Sequence, residues 1–88
     1  MADTLKVELV TPEKMLFSGE ATMVEAPGSE GDFGVLPKHA PIVSLLREGA
    51  VTIHANGRTI AYQVTGGTAE VNEAGIVILA ESAEEIAA

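Results

Sequence analysis

The chain contains no cysteine, so neither a disulfide framework nor a thiolate metal site supplements its core. That absence fits a reducing, intracellular setting. Basic residues are also scarce. Lys6, Lys14, Lys38, Arg47 and Arg58 are scattered along the chain, against 13 Asp and Glu, for a net charge of −8. Phosphate binding needs clustered Lys and Arg, so no nucleic acid is expected as a partner. An anionic lipid surface would repel the chain for the same reason. Apolar runs are only a few residues long, far short of a membrane span, and no lipid insertion is expected. Met1-Ala2-Asp3-Thr4 lacks a basic segment followed by an apolar one, so no signal peptide is expected.

What remains is one small acidic domain. Eighty-eight residues leave no room for a second core and imply a stability of about 4–13 kcal/mol. The acidity either serves solubility or favours a partner with exposed basic groups.

Alternation with period two dominates. Leu5, Val7 and Leu9 are apolar around charged Lys6 and Glu8, which predicts a half-buried strand. Pro12 ends it, and Met15-Leu16-Phe17 begins a second. Ser18-Gly19 reads as a turn into a third strand, Glu20–Ala26, which stops at Pro27-Gly28. Ile42–Leu46, between Pro41 and Gly49, reads as a buried strand. Asn56-Gly57 is a hairpin signal, because a type I′ turn needs φ > 0 at both central positions. A two-residue loop there pairs Ala55 with Arg58, Ile53 with Ile60 and Val51 with Tyr62. The last four of these share one face, with Thr52, His54, Ala61 and Gln63 on the other. Gly66-Gly67 is a turn or a bulge at a change of sheet. Thr68–Val71 and Ile76–Ala80 form another hairpin around Asn72–Gly75. Ser82–Ala88 has helical composition but is too short to hold a helix alone. The sequence thus predicts an all-β sandwich or barrel over residues 1–82 and a short tail over 83–88.

The densest group of constrained residues runs from Pro27 to Pro41. Gly28, Gly31 and Gly34 sit in an acidic loop with Glu30 and Asp32, followed by Pro37-Lys38-His39-Ala40-Pro41. Shaped loops on small scaffolds are usual places for function. The glycine spacing matches neither dinucleotide nor Walker loops, Pro37 falls where a helix should open, and two carboxylates would repel phosphate. His54 reads as an exposed strand residue and His39 as a structural or partner contact. Neither has the ligand set that a metal needs. No serine sits in a nucleophile elbow. Glu30 and Asp32 could share a face as a carboxylate pair, and the plainer reading is a solvated turn. No cofactor, metal or catalytic residue is expected.

This segment resembles the ε subunit of bacterial F-type ATP synthase, the δ subunit of mitochondria. That family carries G-x-x-G-x-[FL]-G-[IV]-[LY]-P-x-H-A-P, matched by Gly28, Gly31, Phe33, Gly34, Val35, Leu36, Pro37, His39, Ala40 and Pro41. The resemblance continues through Pro12, Glu13 and Phe17-Ser18-Gly19, through Leu45 to Gly49, through Thr65-Gly66-Gly67 with Glu70-Val71, and through Val77 to Glu81. It implies a flattened ten-stranded β-sandwich, here without the two C-terminal helices of longer relatives. It further implies a non-catalytic rotor subunit, peripheral on the cytoplasmic side of the bacterial inner membrane. The subunit would join γ and the c-ring beneath the catalytic α/β head. Expected c-ring contacts are Glu30, Gly31, Asp32, Phe33 and His39, and expected γ contacts are Thr11 and Ser44. From the residues alone, the rival reading is a free-standing β domain that binds a peptide or sugar on its loop face. An enzyme on a β-barrel ranks third, for want of a convergent catalytic group.

Overall fold

A computed structural model describes residues 4–38, 41–55 and 57–86. Ten strands appear among them: β1 (Leu5–Val10), β2 (Met15–Ala21), β3 (Met23–Ala26), β4 (Phe33–Val35), β5 (Ile42–Leu46), β6 (Gly49–Ala55), β7 (Arg58–Val64), β8 (Gly67–Val71), β9 (Gly75–Ala80) and β10 (Ala83–Ile86). They make two five-stranded sheets. The first has the order β2-β1-β9-β8-β5 and the second β10-β7-β6-β3-β4. The thin dimension of the molecule, 22 Å, suits two sheets about 10 Å apart with side chains on their outer faces.

Alternation builds the core. Leu5, Val7 and Leu9 point inward from β1, and Ile76 and Ile78 from β9, to meet Val24, Val35, Val51, Ile53 and Val64 of the other sheet. β1 runs parallel to β9, with Val7 beside Ile76 and Leu9 beside Ile78, while the other strand pairs are antiparallel. The β6–β7 hairpin has the expected register: Ala55 opposite Arg58, Ile53 opposite Ile60 and Val51 opposite Tyr62. Gly57 takes φ 72°. Asn56, the other half of that turn signal, lies outside the described residues. Ile60 is only half-buried, unlike its partner Ile53.

Gly66-Gly67 is the change of sheet. β7 belongs to the second sheet and β8 to the first, and both glycines have φ near +140°, at 146° and 141°. A Cβ on Gly67 would stand 2.0 Å from the Leu79 carbonyl oxygen, so the backbones of β8 and β9 close where a side chain cannot fit.

Three sequence expectations are corrected. Ser18-Gly19 is not a turn: β2 runs straight through it to Ala21, paired with β1 as Ser18 with Glu8 and Gly19 with Val7. The bend falls at Thr22, whose N–H and Oγ1 both donate to the His54 carbonyl. Ile42–Leu46 is a strand but not a buried one. It forms the edge of the first sheet, with Val43 74% and Leu45 63% exposed. Ala83–Ile86, expected as a tail of helical composition, is strand β10, antiparallel to β7 from Ala83–Val64 to Ile86–Ala61. Neighbouring backbone with unsatisfied edge groups outweighs weak helix propensity over four residues.

Candidate functional site

The outer face of the first sheet carries a row that no single strand reveals. Register places Leu45 of β5 beside Thr68, Thr68 beside Leu79, Leu79 beside Val10, and Val10 beside Met15. All point away from the core, because their chain neighbours Leu46, Ala69, Ile78 and Leu9 point into it. Leu45, Met15 and Leu79 are 63%, 53% and 45% exposed. Five strands at the usual spacing make this row roughly 19 Å long. The adjacent row on the same face is mixed: Val43, Glu70, Val77, Glu8 and Ser18. Beyond it Lys6 pairs with Glu20. Scattered exposed leucines mean little, whereas Leu45, Leu79 and Met15 lie in one row, linked through half-buried Thr68 and Val10, which makes this face a candidate docking surface. An apolar hollow of about 340 Å³ continues it past Val10, Thr11, Pro12, Leu79, Ala80 and Glu81.

Thr11 and Ser44, the expected contacts on this side, do not come together. β9 and β8 separate β1 from β5. Thr11 is buried and its hydroxyl closes the β1–β2 turn, donating to the Lys14 carbonyl and accepting from the Lys14 N–H. Ser44 is half-buried, opposite the buried Ala69, and its Oγ donates to the Leu45 carbonyl at 3.1 Å. The hydroxyls are spent inside the chain, and apolar neighbours form the surface.

At the other end, Glu30, Gly31, Asp32 and Phe33 form one exposed loop leading into β4. Glu30, Gly31 and Asp32 are exposed, and Phe33 is half-buried against the core. Gly31 takes φ 135°, and its N–H donates to the Gly28 carbonyl at 3.1 Å. A Cβ on Gly28 would come within 2.5 Å of the Gly31 carbonyl oxygen and 2.9 Å of the Phe33 ring, which explains glycine at that point. The Asp32 carboxylate accepts from the Arg47 guanidinium, with the two side chains 71% and 50% exposed. Glu30 has no such partner among the described residues. Lys38 follows with φ 66°, and His39 lies outside the described residues.

His54 is half-buried on the outer face of the second sheet, with Nε2 2.9 Å from Glu25 Oε1. That partner comes from β3 rather than from the hairpin, which sequence spacing could not show. Among the described residues no His, Cys, Asp and Glu group could hold a metal, and no helix is long and apolar enough to cross a membrane. Among the described residues the buried titratable side chain is Tyr62. Burial, and then the charge of Glu85, raise its pKa above the ordinary 10.0.

The β-sandwich domain family of the ATP synthase delta/epsilon chain matches residues 4–86. The chain belongs to that family. It is 51% identical over 87 residues to the ATP synthase epsilon chain of Maricaulis maris, covering 99% of this chain and 65% of that one. It is 53% identical over 83 residues to the epsilon chain of Caulobacter vibrioides, covering 94% and 96%. The Rhodopseudomonas palustris relative is matched over 62% of its length. The chain therefore spans a little under two thirds of some relatives and nearly all of another. By structure it is similar to a chain in the Euglena gracilis mitochondrial ATP synthase OSCP/F1/c-ring assembly, with a TM-score of 0.87 at 24% identity over 93% of this chain and 53% of that one. A chain of the Tetrahymena thermophila central stalk and c-ring superposes with a TM-score of 0.78 at 18% identity, over 91% of this chain and 65% of that one. These two likenesses concern the fold.

Proposed function

We propose that this β-sandwich is the epsilon-type rotor subunit of a proton-translocating F-type ATP synthase. It is non-catalytic and peripheral to a bacterial inner membrane on the cytoplasmic side. It joins γ and the c-ring, beneath the α/β head, and so couples proton flow to ATP synthesis. The observation that carries this reading is the 53% identity to an epsilon chain of matching length, with 96% of that relative covered.

The two surfaces divide the partners. The Leu45–Thr68–Leu79–Val10–Met15 row faces γ, with Thr11 and Ser44 at its flanks. Its polar neighbours Glu8 and Glu70 call for an apolar strip with basic residues beside it. The Glu30–Phe33 loop, with His39 beyond it, faces the polar loops of the c-ring. This reading expects basic residues in those polar loops, which a carboxylate at the tip would attract, and the contact needs no catalytic group.

Affinity purification of the tagged chain from detergent-solubilised membranes tests the assignment. It should bring γ, α, β and the c subunit in fixed ratio. Recovery of the chain alone, from membranes whose synthase is intact without it, would remove the proposal.

A further inference from the structure

The acidic loop and the apolar face meet at three consecutive residues, Leu45, Leu46 and Arg47. Leu45 ends the outward apolar row with its side chain, while its carbonyl accepts the Ser29 N–H at 2.8 Å. Leu46 forms an antiparallel bridge to Gly28. The Arg47 N–H donates to the Pro27 carbonyl at 2.9 Å. Its guanidinium donates to the Asp32 carboxylate and, at 3.1 Å, to the Glu48 carbonyl. The same corner is closed sterically, since a Cβ on Gly49 would stand 2.8 Å from Pro27. The loop is therefore fastened to one edge of the first sheet at its start, through Pro27, Gly28 and Ser29, and Arg47 is the side chain that holds its far end at Asp32.

Resting on the rotor reading above, we propose that Arg47 is a positioning residue. It makes the loop and the apolar face one rigid body, and it commits Asp32 to that internal bond. Glu30 is left as the carboxylate presented to the ring. The two carboxylates of the loop thus have different jobs: Glu30 contacts, and Asp32 braces.

Two views of Asp32 predict opposite signs for one substitution. If Asp32 met the basic ring directly, Arg47→Ala would unmask a negative charge and remove a positive one, so coupling would hold or improve. If Asp32 braces the loop through Arg47, the same change loosens the loop and coupling falls. The measurement is proton pumping per ATP hydrolysed in inverted vesicles carrying the full complex. Arg47→Ala should lower that ratio while γ co-purifies as before, and Arg47→Lys should restore part of it. Gly28→Ala, which deforms the loop without touching either charge, should lower the ratio in the same way.

A second readout uses the chain by itself. Hydrogen exchange of the Ser29 amide should quicken about two- to fivefold in Arg47→Ala, the scale of an exposed ion pair. The Val7 and Ile78 amides should be unchanged. Pumping that holds or rises in Arg47→Ala, or a Ser29 amide that exchanges as in the wild type, overturns the proposal. Failure of the wild-type chain to purify with γ and the ring would instead overturn the rotor reading, leaving the Ser29 result to judge the brace separately.

Discussion

Tyr62 binds the two sheets with a single polar atom. It rises from β7 in the second sheet, and its hydroxyl donates to the Leu16 carbonyl of β2 in the first at 3.2 Å. Removing the hydroxyl in Tyr62→Phe should cost about 1 kcal/mol, the net worth of one such bond. Ionising it should do the same. The folded chain keeps the phenol protonated above its ordinary pKa of 10.0 through burial, and secondarily through Glu85. The unfolded chain then releases a proton that the folded chain retains. Stability is thus intact below about pH 10 and falls as pH rises through the folded value. Denaturant melts of wild type and Tyr62→Phe should show the wild-type advantage constant to pH 9 and shrinking above pH 10. An advantage unchanged at pH 11 would mean that the hydroxyl is not sequestered. The glycines divide at the same scale. Gly67→Ala meets the Leu79 carbonyl at 2.0 Å, whereas a Cβ on Gly57 meets nothing within 4 Å. Gly57→Ala should cost only about 1 kcal/mol of left-handed strain, and Gly67→Ala should prevent the two strands from closing. Equal melting points for the two variants would contradict the close approach.

The register of hairpin β6–β7 was legible in the sequence, because turn chemistry and alternation specify the same pairing, whereas the half-burial of Ile60 was not. It now ranks three positions. Ile53→Ala empties a fully buried site and should cost about 2–5 kcal/mol. Ile60→Ala, at a half-buried partner, should cost less, and Gln63→Ala on the outer face should be near neutral, within about 0.5 kcal/mol. Urea melts that put Ile60 and Ile53 level would show the two equally buried. The strands that misled do so for physical reasons. β5 reads as a continuous apolar run, Ile42-Val43-Ser44-Leu45-Leu46, which a buried strand also gives. What exposes Val43 and Leu45 is the edge position of β5 and an outer face left bare, and neither is written locally. Ser18-Gly19 has turn composition, yet its backbone is claimed by Val7 and Glu8 of β1. β10 has no strand composition and exists because β7 offers it an edge.

For the whole molecule, the loop was legible and the apolar face was not. Gly28, Gly31, Glu30 and Asp32 are neighbours in sequence, so their constraint shows directly. Leu45, Thr68, Leu79, Val10 and Met15 come from five different strands, and each alone is an ordinary outward residue. Only the register joins them. Leu79→Asp should therefore leave the melt within about 0.5 kcal/mol of wild type while sharply reducing recovery of γ in purified complexes. Thr52→Asp, on the opposite sheet, should leave recovery intact, and equal loss from both would deny the face its role. Calorimetric titration with Mg-ATP should give no saturable heat at millimolar concentration, since neither the spacing of the loop glycines nor the charge of −8 favours a phosphate. A micromolar one-to-one site would overturn that expectation. The parallel pairing of β1 with β9 has a further consequence, in time rather than in space. Of these ten strands β1 is made early and pairs at once with β2, but its second neighbour, β9, can pair in full only after residue 79 has been added, so β1 and β2 wait as an incomplete pair with Val7 and Leu9 uncovered. Closing so long a loop is slow, and synthesis that stalls between residues 65 and 75 would leave that uncovered edge open to aggregation.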